Sequence, residues 1–409
     1  MQRIKSSEYF VIPNKLSYEE ALLIVEEDIK LNKEAYYIKA MLLKLKEDDE
    51  CKPLKYVKAL EEGLVQNSIL CHVMYGLLMQ QGKAMDRHPV KAKIFIDMHL
   101  KALESMAYED DMYALGLLGF MHTHGLFVEK NMQQAMRYLH KAIEYTFIDA
   151  YHQLGYLYQM KSPYQDLNKS KKYLNIALEN NYAPTWFAKG LEALKLKQTD
   201  EAMNYIMKAS ELGQIHAMFT LATLFESLKK HDQSFLYFKK AADLGHVKGM
   251  YMTGLSYQAG KGILKDEEKA YQYMIEAASH EDTLALFHIA NIEIKKPNPN
   301  IALVYDYLLK ASSKQHPLAN HQLGLMFEEG KYMLKDVKTA LSFYERAILT
   351  QFPPSLFQAA KILVEGVYVE KNMQKAIQYL QVAADKKFKP AQLMLETLKQ
   401  SQDKKTYTA

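Results

Sequence analysis

The sequence has few cysteines to cross-link a secreted domain and no cluster of residues that would build a metal centre. Its 409 residues include only two cysteines, Cys51 and Cys71, which lie in different predicted elements. Small secreted domains use several disulfides, so this content favours two buried free thiols in a reducing compartment over a structural disulfide. The His122-Thr-His124 pair lies at a predicted helix end without a cysteine or an acidic cluster beside it, which favours solvated histidines over a metal site.

Long apolar runs and one-sided charge are also missing. No stretch approaches the roughly 18 apolar residues of a membrane helix, and the first residues lack the apolar core and cleavage site of a secretory signal. The 52 basic and 48 acidic residues give a net charge of +4, without a basic block. This pattern argues against nucleic acid as the main partner and predicts a cytoplasmic protein without a membrane span.

Enzyme signatures are absent as well. The sequence has no G-x-S-x-G elbow, phosphate loop, H-E-x-x-H motif or dinucleotide fingerprint. Gly260-Lys-Gly262 lacks the Lys-Ser/Thr pair of a phosphate loop, and Cys71 has no nucleophile motif around it. We therefore predict a non-catalytic protein with no cofactor and no metal.

What the sequence does contain is an internal repeat. From Gly249 to Ala285, one helical stripe of small and apolar residues is followed by a glycine turn, the N-cap candidate Asp266 and a second stripe. The unit recurs mostly at steps of about 32–36 residues. The first small residue of each unit, here called the anchor, is found at Ala35, Cys71, Ala114, Ala150, Ala183, Ala217, Gly249, Ala285, Ala319, Ser355 and Ala391.

Each unit carries further small positions. A small residue follows most anchors by five positions, as at Gly155, Ala188 and Gly254. The second helix repeats the pattern small-x2-aromatic-x3-Ala, as in Ala270/Tyr273/Ala277 and Ala340/Phe343/Ala347. Small side chains let antiparallel helices approach closely, and we expect the aromatic to fill the gap toward the next pair.

The turns and ends follow the same logic. In four units glycine ends the first helix and Asn or Asp caps the second, as from Gly125 to Asn131. The Ala183 and Ala217 units lack this turn, and Thr199, Asp200 and Asp232 are their candidate caps. The 43-residue step after Cys71 predicts a surface excursion from Gly82 to Pro89. We predict a lead-in and capping helix over residues 1–34, a solenoid over 35–390, and a capping helix to about Lys399 with a frayed tail over 391–409.

These residues resemble the Sel-one-like repeat, a relative of the tetratricopeptide repeat. The similarity is carried by A-x3-LG at Ala150–Gly155 and Ala319–Gly324, by G-x-G-I-x-x-D at Gly260–Asp266, and by the KAxxY…A helices, over about residues 35 to 400. The predicted fold is all-α, a right-handed α-solenoid of about ten helix-turn-helix repeats. The family is a scaffold, so the resemblance indicates a fold more than a function.

The resemblance also implies a binding surface. In tetratricopeptide arrays the first helix of each pair lines the concave side, where positions two and six after the anchor share one face. An aromatic and histidine strip on this face suits a protein or peptide, although the second position could instead pack between neighbouring repeats. The candidate partner-binding residues are Phe120, His152, Tyr156, Phe219, Tyr251, Phe287, His321 and Phe357.

We therefore predict a monomeric scaffold or adaptor that holds a protein or peptide partner in a concave groove. One alternative is a regulator of a single enzyme, as inhibitor or chaperone, which could be a bacterial effector exported into a host cell without a signal peptide. A second alternative is a cell-wall hydrolase, as suggested for some relatives. Hydrolysis would require a carboxylate or histidine cluster with shifted pKa values in the groove.

Overall fold

The computed structural model describes residues 5–11, 16–47, 54–82, 85, 87–346 and 350–406. Over these residues the chain is helical, with 22 α-helices and no named strand. Successive helices pair into ten hairpins, from α2/α3 to α20/α21, with α1 before them and α22 after them. The predicted all-α solenoid of helix-turn-helix repeats is confirmed.

The chain divides into two compact units. The first comprises Met1–Gly249 and Lys261–Ile263. It begins with a 3-10 helix, Lys5–Phe10. Its α-helices are α1 (Tyr18–Leu31), α2 (Ala35–Lys46), α3 (Lys55–Val65), α4 (Ile69–Gln81), α5 (Pro89–Tyr108), α6 (Met112–His124), α7 (Met132–Glu144), α8 (Ile148–Gln159), α9 (Leu167–Glu179), α10 (Ala183–Lys195), α11 (Thr199–Glu211), α12 (Ile215–Ser227) and α13 (His231–Asp243).

The second unit comprises Met250–Gly260 and Leu264–Ala409, so α14 (Val247–Ala259) contains the division. Its further helices are α15 (Glu267–Ser279), α16 (Thr283–Glu293), α17 (Ile301–Ser313), α18 (Pro317–Glu329), α19 (Val337–Arg346), α20 (Pro353–Glu365), α21 (Met373–Asp385) and α22 (Lys389–Thr406). Helix α22 continues to Thr406 instead of ending near Lys399.

Small residues bring the two helices of each hairpin together. A Cβ atom placed on Gly155 would lie 2.5 Å from Leu174 of the partner helix, and one on Gly254 would lie 2.8 Å from Met274. The anchors Ala150 and Ala217 are fully buried. The predicted close approach over small side chains is therefore present in the hairpins.

The predicted register of the α10/α11 hairpin is wrong by two residues. Thr185 is fully buried at the anchor position, whereas the predicted second small residue Ala188 is only half-buried. Five residues after Thr185, Gly190 packs against α11, where an added Cβ would collide with Ile206 Cγ1. Ala183 misled the alignment because it is also small and begins the helix.

The aromatic residue of the second helix also packs differently from the prediction. Tyr173 and Tyr273 are half-buried and stack on Tyr158 and Tyr257 of the first helix in their own hairpins, with centroids 5.8 and 6.0 Å apart. The residues that follow these tyrosines, Leu174 and Met274, are the fully buried ones and face the first helix of the same hairpin. The third member of the predicted Ala340/Phe343/Ala347 set lies outside the described residues.

The long turns agree with the prediction, and the short ones do not. Gly125 ends α6 at a φ of 66°, and Asn131 caps α7 by accepting a 3.0 Å hydrogen bond from the amide of Gln134. In the short turns, α11 and α13 have no side-chain cap. Their preceding turns instead place Lys197 and Lys229 in the left-handed region, so Thr199, Asp200 and Asp232 are not the caps.

The extra length after Cys71 lies in a helix. Gly82 ends α4 at a φ of 68°, and the amide of His88 donates to Met79, the same turn geometry as in the regular units. Helix α5 has 20 residues, whereas α7 has 13. The extra length therefore lies in α5, and Lys83, Ala84 and Asp86 of the predicted surface excursion lie outside the described residues. Cys71 is a buried free thiol whose pKa is raised to about 12 by burial, and Cys51 lies outside the described residues.

Candidate functional site

A groove of about 550 Å³ crosses the first helices of successive hairpins in the first unit. Its wall combines apolar side chains with a few polar groups, as ligand sites commonly do. Most of the lining residues come from three first helices and from helix ends. Helix α2 provides Met41 and Leu45, and α6 provides Tyr113, Leu117, Phe120 and Thr123. Helix α8 provides Asp149, His152, Gln153 and Tyr156, and the helix-end residues are Phe147, Met160, Tyr182 and Gln214.

Asp149 organises one polar part of the wall. Its carboxylate accepts a 2.7 Å hydrogen bond from the Tyr182 hydroxyl and a 2.5 Å hydrogen bond from the Gln153 amide. Burial raises the pKa of Tyr182, and the Asp149 charge raises it further, so this hydroxyl stays protonated. The hydrogen bond between Asp149 of α8 and Tyr182, the residue before α10, fixes the relative orientation of two successive hairpins at the groove.

His152 makes a second polar contact between the same hairpins. Its Nδ1 lies 2.9 Å from Thr185 Oγ1, and its ring packs edge-on against Tyr182 at a centroid distance of 5.7 Å. Burial lowers the pKa of His152, although Asp149 opposes this effect. The imidazole is therefore neutral near pH 7 and takes part in packing and hydrogen bonding.

Two buried polar atoms on the groove residues have no partner in the described part of the chain. They are the Tyr156 hydroxyl and the side-chain carbonyl oxygen of Gln214. Gln214 is the N-cap residue of α12, yet its side chain makes no capping hydrogen bond. Burial raises the pKa of Tyr156, and Glu192 adds to the shift, so the hydroxyl remains a donor. Such unsatisfied buried groups are rare and require an explanation.

The predicted site residues divide into two groups. Phe120, His152 and Tyr156 line the groove. The other five do not line it and instead contact aromatic or histidine side chains within their own unit. Their binding role stays a prediction, and the structure gives each a packing contact.

Those five contacts have a common form. Phe219 stacks on His246 with centroids 4.4 Å apart, and Phe287 packs on His316 at 4.8 Å. The remaining contacts are Tyr251 with His288 at 6.0 Å, His321 with Phe352 at 5.6 Å, and Phe357 with Phe388 at 5.9 Å. In three of the five, the partner is the residue that precedes the first helix of the next hairpin, and Phe388 likewise precedes the final helix α22. These contacts have the geometry of the alternative that the sequence leaves open, in which the second position after the anchor packs between neighbouring repeats.

The sequence prediction missed the residues three positions before the anchor. Phe147, Tyr182 and Gln214 occupy this N-cap position and all line the groove. The recurrence of aromatic and histidine residues there, as at His246, His316 and Phe352, was a readable signal. It was overlooked because helix caps are expected to be Ser, Thr, Asp or Asn.

The groove does not resemble a hydrolytic centre. Asp149 is the one carboxylate among the lining residues that the structure describes, whereas glycoside hydrolysis commonly uses two. No group of three or more potential metal ligands occurs in the described ranges. The rings of His122 and His124 contact different carbonyls, those of Glu129 and Phe120.

A second cavity of about 650 Å³ lies at the α4/α5 hairpin, lined by Tyr75, Met79, Met85, His88, Lys91, Ile94 and Phe95. It is formed by one hairpin and its turn, without contributions from successive repeats. None of the helices in the described part of the chain is long and apolar enough to cross a membrane.

Comparisons with known proteins agree with this architecture. The Sel1 repeat matches residues 110–144, 148–182, 216–246, 247–282, 317–349 and 353–388, and a tetratricopeptide repeat matches 183–212. The latter covers the α10/α11 hairpin, which has the short turn. No curated protein matches the chain significantly.

Two of the solved structures that match the chain illustrate the shared fold. A Sel1 repeat protein from Oxalobacter formigenes is 21% identical with a TM-score of 0.59, covering 73% of this chain and 90% of its own. The protective antigen c5321 of uropathogenic Escherichia coli, which displays an SLR fold, is 15% identical with a TM-score of 0.54, covering 93% of this chain and 87% of its own. At these identities the likeness extends to the fold alone. Because the Sel1 repeats span more than half of the sequence, the chain belongs to the Sel1 repeat family.

Proposed function

We propose that the protein is a non-catalytic interaction scaffold that binds a protein or peptide in the groove of its first unit. The supporting observation is the pair of unsatisfied buried polar atoms on Tyr156 and Gln214, set in a largely apolar groove. A peptide backbone offers both donors and acceptors, so it could satisfy a hydroxyl and a carbonyl at once. The methionine and aromatic wall could bury its side chains.

Blocking the groove tests this proposal. Met160 lines the groove and is 42% exposed, so Met160→Arg introduces a charge without disturbing the core. Met98 on α5 is 72% exposed and lies outside the groove, so Met98→Arg is the matched control. We expect Met160→Arg to abolish capture of a partner from lysate of the source organism, and Met98→Arg to retain it. Equal capture by both variants, at unchanged helicity, would place the partner elsewhere.

A second variant tests the polar contact directly. Tyr156→Phe removes a hydroxyl that has no partner in the described structure, so the melting temperature should not fall. Partner affinity should fall by about tenfold if the hydroxyl bonds the ligand. Affinity that is the same for the wild-type and Tyr156→Phe chains would remove this residue from the binding site.

A further inference from the structure

The same face of the first unit already holds a piece of the chain. Residues Lys5–Val11, which we call the docked segment, form a 3-10 helix and then an isolated antiparallel bridge between Val11 and Phe147. Phe10 is fully buried, and Val11 is 7% exposed. Residues Lys5–Val11 of the predicted lead-in are therefore packed into the first unit.

Phe10 lies against rings that also form the groove wall. Its centroid is 6.3 Å from that of Tyr113 and 6.4 Å from that of Phe147. Tyr113 in turn contacts Tyr37 at 5.7 Å and Phe147 at 5.4 Å, and all three of these rings line the groove. The Phe10 position and the groove are thus continuous across shared rings.

The backbone at this place is suited to pairing with an extended chain. Phe147 precedes α8 with an extended conformation, at a φ of −70° and a ψ of 112°. Gly116 of α6 allows its ring to approach, since a Cβ there would lie 2.7 Å from Phe147 Cε1. The backbone of Phe147 pairs with that of Val11 beside the rings that surround Phe10, which is a one-residue form of strand addition. In strand addition the backbone hydrogen bonds give affinity and the side-chain pocket gives specificity.

We infer that the docked segment is a resident ligand of the groove, and that the partner is a peptide carrying an aromatic residue followed by a β-branched one in extended conformation. The partner then takes the place of Phe10 and Val11 and continues along the groove toward Tyr156. This inference rests on the proposed function, because it names the chemistry of the ligand for the same groove. It also predicts competition, since a tethered segment has an effective concentration of the order of millimolar.

The test uses a fluorescent synthetic peptide of residues 5–13, KSSEYFVIP, and the full chain. The Phe10→Ala chain should bind this peptide at least tenfold more tightly than the wild-type chain, because its own segment no longer competes. A peptide with alanine at the Phe10 position should not bind. A peptide with photoreactive benzoylphenylalanine at that position should crosslink to fragments that contain Tyr113 or Phe147.

A second route avoids the buried substitution. A protease site inserted within residues 12–15 lets the folded wild-type chain be cut, after which the severed segment loses its tether. The labelled peptide should then exchange into the cut chain and not into the uncut chain. This arm decides the matter if Phe10→Ala fails to fold.

Two outcomes overturn the inference. One is a cut or Phe10→Ala chain that keeps its helicity and melting temperature but does not bind the peptide. The other is loss of helicity in both opened forms, which would make the docked segment a fixed part of the core. The proposed function has a separate readout, because partner capture that is sensitive to Met160→Arg would survive either result.

Discussion

Single methyl groups set the register of the hairpins. Gly190 faces Ile206 at a distance that leaves no room for a Cβ atom, whereas Ala188, two residues earlier, is half-buried. Both are small, so only their positions on the helix face separate them. The two residues therefore allow the anchor position at Thr185 to be tested by matched substitutions.

We expect Gly190→Ser to lower the free energy of unfolding by about 1–3 kcal/mol, because Ile206 must move to admit the added atoms. Ala188→Ser adds a single oxygen at a half-buried site and should change stability by less than about 0.5 kcal/mol. Urea denaturation followed by circular dichroism measures both. If Ala188→Ser were the more destabilising change, Ala183 and not Thr185 would be the anchor of this hairpin, as the sequence predicts.

Residue-scale chemistry in the groove follows from burial more than from any motif. His152 and Tyr156 were predicted from their spacing after an anchor, and both line the groove. Asp149 and Gln214 could not be selected in the same way, since an Asp one residue before an anchor and a Gln before a helix are ordinary surface residues in a sequence. The importance of Asp149 comes from its hydrogen bond to Tyr182 of the next hairpin, and that of Gln214 from its place in the groove wall, neither of which a single repeat encodes.

At the scale of elements, the caps distinguish the long turns from the short ones. Asn131 accepts a 3.0 Å hydrogen bond from the Gln134 amide, and the equivalent residues Asp266 and Asn372 do the same for their helices. Thr199 is exposed in the first turn of α11, where no side chain caps the helix. The short hairpin thus begins its second helix without this stabilisation.

We expect Asn131→Ala to destabilise the protein by about 1 kcal/mol, the usual cost of removing a helix cap. Thr199→Ala, at the residue that the sequence offered as a cap, should be neutral within about 0.5 kcal/mol. Thermal melts of the two variants and of the wild type provide the comparison. A cost for Thr199→Ala equal to that for Asn131→Ala would show that Thr199 does cap α11.

Element boundaries were readable from sequence wherever the chemistry was local. Glycines at Gly125 and Gly366 predicted where first helices end, because only a left-handed residue closes the helix there. The sequence predicts the extra residues after Cys71 in a loop, whereas they lie in α5, because a longer helix and a longer loop give the same repeat step. The docked segment was not predicted, because its burial depends on rings far away in the sequence, at Tyr113 and Phe147.

At the scale of the whole molecule, six of the 14 histidines share one electrostatic property. Burial is the largest cause of a lowered pKa for each of the six, and Lys33, Lys169 and Lys295 add to it for three of them. The six are His72, His140, His152, His288, His316 and His321. They occur in both units, and each of these six side chains resists protonation more in the folded chain than in the unfolded chain.

This property predicts acid sensitivity near neutral pH. As the pH falls below the unfolded histidine pKa of about 6.5, the unfolded chain binds protons that the folded chain does not, so stability falls until the folded pKa values are passed. Carboxylates with lowered pKa values, such as Glu226, lose their contribution only at lower pH, and the raised pKa of Asp111 acts in the opposite direction there. The melting temperature should therefore drop between pH 7.5 and pH 5.5.

Histidine substitutions separate this cause from general acid effects. Gln has a similar hydrogen-bonding capacity without the titration, and His321 contacts Ser355 through Nδ1 at 3.0 Å. A chain with His316→Gln and His321→Gln should lose less of its melting temperature over the same pH range, even if its midpoint at pH 7.5 is lower. A drop of the same size in both chains would assign the acid sensitivity to other groups, and a wild-type midpoint that is constant from pH 7.5 to 5.5 would contradict the lowered pKa values themselves.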